Sequence, residues 1–180
     1  MFNKVIFKEQ PEIKEKVGAL LVEAFPENER PPVSYFFESL KRKENTLLAF
    51  YQNETFIGFA YLTIYQDACY IFFLAVVKEY RNKGYGSKII ETIKNEYKGY
   101  VLLICYEEVD EKYDNYMQRK KRETFYHKLG FKDNGFISEE WGVRFQTAYI
   151  GPHKIEFSTY KEIFKIGFGV NADKYLKKAS

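Results

Sequence analysis

Arg81-Asn82-Lys83-Gly84-Tyr85-Gly86-Ser87 puts two glycines, two cations and a hydroxyl within seven residues, a combination suited to holding a phosphate. An apolar run, Ala68 to Val77, precedes it, and Ile89, Ile90, Ile93 and Tyr97 follow at helical spacing. The local order is therefore strand, glycine-rich turn, helix. In that order the turn amides and the unpaired N–H groups of the first helical turn converge on one point, where the helix dipole adds positive charge. A phosphate or pyrophosphate is the natural ligand. Gly84 and Gly86 let the backbone come close, and Arg81, Lys83 and Lys88 surround the point with charge. The segment is not a G-x-x-x-x-G-K-[ST] loop, and Ile89 stands where G-x-G-x-x-G needs its third glycine.

By itself R-x-x-G-x-G is also compatible with plain turn chemistry. A second segment, Arg122-Glu123-Thr124-Phe125-Tyr126-His127-Lys128-Leu129-Gly130-Phe131, adds to it. Together the two resemble the GNAT superfamily of acyl-CoA-dependent N-acetyltransferases. In that family a Leu-x-Val strand, here Leu74-Ala75-Val76, leads into R/Q-x-x-G-x-G/A, and a later helix ends in Phe-Tyr-x-x-x-Gly-Phe. The resemblance spans roughly residues 1 to 150.

It implies an α/β (α+β) fold with a mixed, mostly antiparallel sheet of about seven strands and helices on both faces. It also implies a transferase domain over 1–151, with 152–180 as a C-terminal extension packed on it. The co-substrate is then acetyl-CoA, with its pyrophosphate held by Arg81, Asn82, Lys83, Gly84, Tyr85, Gly86 and Ser87. Its pantetheine arm runs along Leu74, Ala75 and Val76, and an N–H of this strand, that of Val76, serves the thioester oxygen. Tyr126 becomes the general acid for the departing sulfur, since a phenol of pKa about 10 stays protonated at neutral pH. Arg119 stands where the family often has an asparagine and becomes a further cofactor contact, and Arg122 stands where it often has an alanine.

The base is less defined. An alkylammonium has a pKa of about 10.4, so either a group of the protein takes its proton, directly or through a water relay, or the substrate has a lower pKa. Members that acetylate protein lysines carry a glutamate where this chain has Tyr70. The candidates here are Glu29, with Glu27 beside it in the Pro26-to-Pro32 loop, and Glu107 at a strand end. Each reads equally well as a solvated surface carboxylate. The acceptor implied is a primary amine on a small molecule or peptide. An acyl-CoA-binding regulatory module without catalysis is the alternative, and the sequence leaves a homodimer open.

Bulk properties narrow the field. The 180 residues are enough for one domain with a sizeable core, and 46% apolar with 19% aromatic residues excludes a disordered chain. A net charge of +3, from 28 basic and 25 acidic residues, gives no nucleic-acid footprint. Cys69 and Cys105 lie in apolar runs, and with His127 and His153 they assemble no metal-ligand spacing, so no metal is expected. No apolar run reaches the length of about 18 residues that a membrane span needs, and the N-terminus lacks a signal peptide pattern. A soluble cytoplasmic protein is expected.

The positioning elements follow from periodicity. Strands are expected at Lys4 to Lys8, Thr46 to Tyr51, Thr55 to Tyr65, Ala68 to Val77, Val101 to Tyr106, Phe131 to Ser138 and Trp141 to Ile150. Helices are expected at Pro11 to Phe25, Val33 to Lys43, after the glycine loop up to Gly99, and at Tyr116 to Leu129 with Met117, Lys121, Phe125 and Leu129 aligned. Thr159-x-x-Glu162 resembles a capping box that opens a last helix ending at Ile166.

Overall fold

The computed structural model describes residues 1–169 and 172–179. Eight strands form one sheet in the order β1-β2-β3-β4-β5-β7-β6-β8: β1 Phe2–Ile6, β2 Asn45–Gln52, β3 Thr55–Tyr65, β4 Ala68–Val76, β5 Val101–Glu107, β6 Lys132–Glu140, β7 Val143–Ile150 and β8 Leu176–Lys178. Every pairing is antiparallel except β4 with β5. The expected count of about seven is exceeded by β8. Its three residues are too few to show an alternating pattern, and it joins the sheet by pairing with Ser138–Glu140.

The helices are α1 Pro11–Ala24, α2 Val33–Ser39, α3 Tyr85–Glu96, α4 Tyr116–Lys128, α5 Phe157–Phe168 and α6 Ala172–Tyr175. They cover both faces. On one face α1, α2 and α5 press Val17, Leu21, Phe36, Tyr160 and Phe164 onto Phe59, Tyr61, Tyr70 and Phe73. On the other, Ile89, Ile90 and Ile93 of α3 meet Leu62, Cys69, Ile71 and Leu102, with Tyr126 and Leu129 of α4 packed against them. One core is rich in rings and the other in branched aliphatics.

Several local expectations are corrected. Helix α2 stops at Ser39, whose hydroxyl turns back onto the Phe36 carbonyl and also meets the Tyr61 hydroxyl. Met117 is 65% exposed and Lys121 is exposed as well, so the expected stripe does not face inward as a whole; Tyr126 and the C-cap Leu129 pack on the core, and Phe125 closes on Gly86. Helix α5 begins at Phe157, two residues before Thr159, and its N-cap Glu156 makes no side-chain cap. Thr159 therefore lies inside the helix. Trp141 is a hairpin turn residue with φ +49°, not part of β7.

Candidate functional site

Strands β4 and β5 pair only from Ala68↔Val101 to Ile71↔Ile104. Beyond that they part. β4 stays with β3 up to Gly58↔Val76, and β5 stays with β7 up to Glu107↔Phe145. The cause is visible in the register: Tyr61 faces Phe73 and Leu62 faces Ile71, so Phe72 is an extra residue that bends β4 away from β5. A cavity of about 680 Å³ fills this V, lined by Tyr70 to Val76 on one side and Cys105 to Glu107 on the other.

Leu74, Ala75, Val76, Arg81, Glu29, Glu107 and Tyr126 all line this one cavity. The chain thus brings together residues from five separate segments. Tyr126 is held by ring contacts with Tyr106 (5.5 Å, stacked), Phe125 (5.1 Å) and Phe131 (5.6 Å). Burial pushes its phenol up to about 12, against the pull of the nearby Arg122 guanidinium, so it stays protonated over the whole physiological range.

The glycine loop lies outside the cavity wall and is open to solvent. Gly84 is the N-cap of α3 at φ +79°, a left-handed position that disfavours a side chain, and no side chain caps the helix. The first-turn amides of Tyr85, Gly86 and Ser87 therefore remain free for an anion. Gly86 has a second role that its spacing did not show. A Cβ there would stand 3.1 Å from the Phe125 ring, so the bare backbone lets α4 close on the start of α3 and joins the two motifs physically.

The cations around the loop are partly committed. Arg81 donates from Nε to the Val76 carbonyl (2.8 Å) and pairs through its other nitrogen with Glu23 (2.7 Å). This ties the end of β4 to α1. Lys83 lies over the Tyr80 ring at 5.5 Å and Lys88 over Tyr85 at 5.0 Å. Arg119 is engaged elsewhere: it donates to Asn115 Oδ1 (2.7 Å) and to the Glu108 carbonyl (2.9 Å), and stacks on Tyr113. It does not line the cavity.

The two candidate bases differ. Glu107 is 5% exposed and ion-paired with Arg122. Glu29 has no ion pair among the described residues, and burial raises its carboxyl against the opposing pull of Arg122 and Arg119.

Four cavity residues were not legible as a group: Tyr70, Cys105, Glu140 and Trp141. The Tyr70 hydroxyl meets Cys105 Sγ (2.7 Å) and the Tyr160 hydroxyl (2.9 Å), and Tyr160 in turn donates to Glu140. Burial raises the Tyr70, Cys105 and Tyr160 pKa values well above their ordinary range, and that of Glu140 upward as well. In the sequence Glu140 fell between the strands expected at Phe131 to Ser138 and Trp141 to Ile150, with nothing to mark it, whereas β6 in fact runs on to Glu140.

The sheet opens between its two parallel strands beside an uncapped helix N-terminus, and comparisons with known proteins give this arrangement a family. The family model described as "Acetyltransferase (GNAT) domain" matches residues 42–133, just over half of the chain, and the protein belongs to that family. Among solved structures, a protein from Bacteroides thetaiotaomicron assigned to the GNAT family superposes with TM-score 0.75 at 20% identity, covering 95% of this chain and 99% of that one. An aminoglycoside 6'-N-acetyltransferase complexed with coenzyme A gives 0.67 at 17%, covering 83% and 96%. The ribosomal-protein-S18-alanine N-acetyltransferase from Escherichia coli gives 0.61 at 17%, covering 86% and 96%. At these identities the structures establish the shared fold. No curated protein matches by sequence. Among the described residues no helix is long and apolar enough to cross a membrane, and no group of three or more His, Cys, Asp or Glu could hold a metal ion.

Proposed function

We propose that the protein transfers an acetyl group from acetyl-CoA to a primary amine of a small molecule or peptide by direct attack. The observation that carries this reading is the shared cavity: the unpaired half of β4, Tyr126 and the carboxylates of Glu29 and Glu107 line one space, whose wall also includes Arg81 at the start of the loop that leads into α3. The coenzyme A held by one structural neighbour supports the co-substrate. The neighbours named for an aminoglycoside and for a ribosomal protein's alanine support small-molecule and peptide acceptors alike. A cytoplasmic location goes with this reading.

In this mechanism the loop holds the pyrophosphate and β4 the pantetheine arm, with the thioester in the V. Glu29 takes the acceptor's proton. Its raised carboxyl narrows the gap to an ammonium, whereas Glu107 is occupied by its ion pair with Arg122. The amine lone pair forms the C–N bond and the carbonyl oxygen becomes an oxyanion facing the free N–H groups of β4; as the oxyanion collapses, the C–S bond breaks with its electrons on sulfur, and the proton still carried in excess by the nitrogen passes to the departing thiolate. Tyr126 serves the leaving sulfur. A phenol near 12 is a weaker acid than a thiol of about 8.5, so Tyr126 acts mainly by donating a hydrogen bond to the developing thiolate. Arg122 strengthens that donor by its charge.

Thiol release from acetyl-CoA, measured against a panel of amines, tests the reading. Amine-dependent release is the expected result. Tight acetyl-CoA binding with no release for any amine would instead make the protein a regulatory acyl-CoA-binding module.

A further inference from the structure

Glu140 sits at the last position of β6, is 6% exposed, and lines the cavity. Its surroundings commit it to accepting hydrogen bonds. Tyr160 has one hydroxyl proton and gives it to Oε1, so Tyr70 must donate to Tyr160. The Tyr70 proton is then used, so the Cys105 thiol must donate to Tyr70. Ser138 donates to the same Oε1 at 2.8 Å. Four side chains thus run their donors toward one carboxylate oxygen, while Oε2 has no hydrogen-bond partner among the described residues.

The charge balance of the cavity points the same way. Arg81 is matched by Glu23 and Arg122 by Glu107. Glu29 and Glu140 have no ion-pair partner among the described residues. A carboxylate this buried is unfavourable unless a cation joins it. Tyr70, Phe72, Trp141 and Phe168 line the same cavity, and such aromatic walls favour an organic cation over a hydrated metal ion.

We infer that Glu140 forms the subsite for the acceptor's charged ammonium group, so that the acceptor is an alkylamine entering as a cation and not an uncharged arylamine. This rests on the acetyltransferase reading and gives its acceptor a chemical class. Tyr160, from the segment after residue 151, orients Glu140, so that segment takes part in acceptor choice. Aromatic walls and a terminal cation together describe arylalkylamines and hydrophobic alkylamines.

Trp141 is the chain's one tryptophan and lines the same cavity, so its fluorescence reports on ligand at this floor. The experiment titrates the protein, saturated with CoA, with 2-phenylethylamine and with its neutral isostere 2-phenylethanol at neutral pH. The amine is expected to bind at least about tenfold tighter, and Glu140→Gln to bring the two within about twofold of each other. Equal affinities in the unaltered protein, binding of neither compound, or an undiminished preference in folded Glu140→Gln would each overturn the subsite. The comparison in the unaltered protein stands even if the variant does not fold. Because CoA carries no acetyl group, the result is independent of turnover, which the thiol-release assay reads separately.

Discussion

The cavity has two ends, built in opposite ways. At the loop end the parts are contiguous: strand, turn and helix from Leu74 to Ser87 follow one another, and the polar groups on offer are the backbone amides at the start of α3. At the floor the parts are scattered over β4, β5, β6 and α5, and the polar atoms are side chains linked in a chain from Cys105 to Glu140. A ligand common to a family can be held by backbone geometry, which many side chains tolerate. A ligand particular to one protein needs particular side chains, and these come from wherever the fold delivers them.

Tyr126 stands between the two ends and gives the largest expected effect. Tyr126→Phe keeps the ring and its contacts with Tyr106 and Phe131 while removing the donor to sulfur. Turnover should fall about a hundredfold or more with acetyl-CoA affinity unchanged, measured by initial rates and calorimetry. Lost affinity or a large drop in melting temperature would make Tyr126 a packing residue instead.

Gly86→Val probes the loop end. Its side chain would enter the space of the Phe125 ring and force α4 away from α3, so acetyl-CoA affinity should drop at least tenfold, about 1.4 kcal/mol, together with an overpacking cost of about 1–3 kcal/mol in stability. Gly84→Val meets no neighbour but must adopt φ +79°, so its effect should come from backbone strain alone. Unchanged calorimetric binding in a folded Gly86→Val protein would remove the loop from the cofactor site.

At the floor the prediction has the opposite sign for stability. Desolvation raises the Glu140 carboxyl in the folded state, so the unfolded chain ionises first. Stability is then present in full below the unfolded value of about 4.3 and is lost as pH rises through the folded value. Glu140→Gln escapes that loss. It should melt at a higher temperature than the unaltered protein above this window, and the gap should close as pH falls to about 4. A variant that melts lower at neutral pH would mean the carboxylate is a structural support and not a binding group held at a cost.

The smallest expected effect belongs to the cysteines. Burial drives both thiols up, so neither is a thiolate at neutral pH. Replacing Cys69 and Cys105 together with alanine should leave turnover intact, with a stability loss of about 1 kcal/mol for the hydrogen bond from Cys105 to Tyr70. Trapping an acetylated cysteine that passes its acetyl group to an amine would overturn direct attack.

Legibility followed the same divide. The α3 stripe of Ile89, Ile90 and Ile93 is fully buried, as its spacing required, and the apolar run of β5 is an inner strand. Glu29 and Glu107, chosen from positions in a loop and at a strand end, both reach the cavity with Tyr126. Arg119 lines no part of the cavity: its guanidinium is taken up by Asn115 Oδ1 and the Glu108 carbonyl, partners that its place on a helix does not reveal. Thr159-x-x-Glu162 misled because a capping motif inside a helix looks the same as one that starts it.

What the sequence determined by itself is the local grammar: the seven longer strands, the five longer helices and the place where glycine permits the turn into α3. These depend on periodicity and backbone conformation over a few neighbouring residues. The tertiary structure alone decided that Phe72 would bulge and open β4 from β5, that Gly86 would admit Phe125, and that Tyr160 would meet Glu140 across twenty residues of chain. Such contacts are settled by how close-packed surfaces fit one another, and sequence separation carries no trace of that fit.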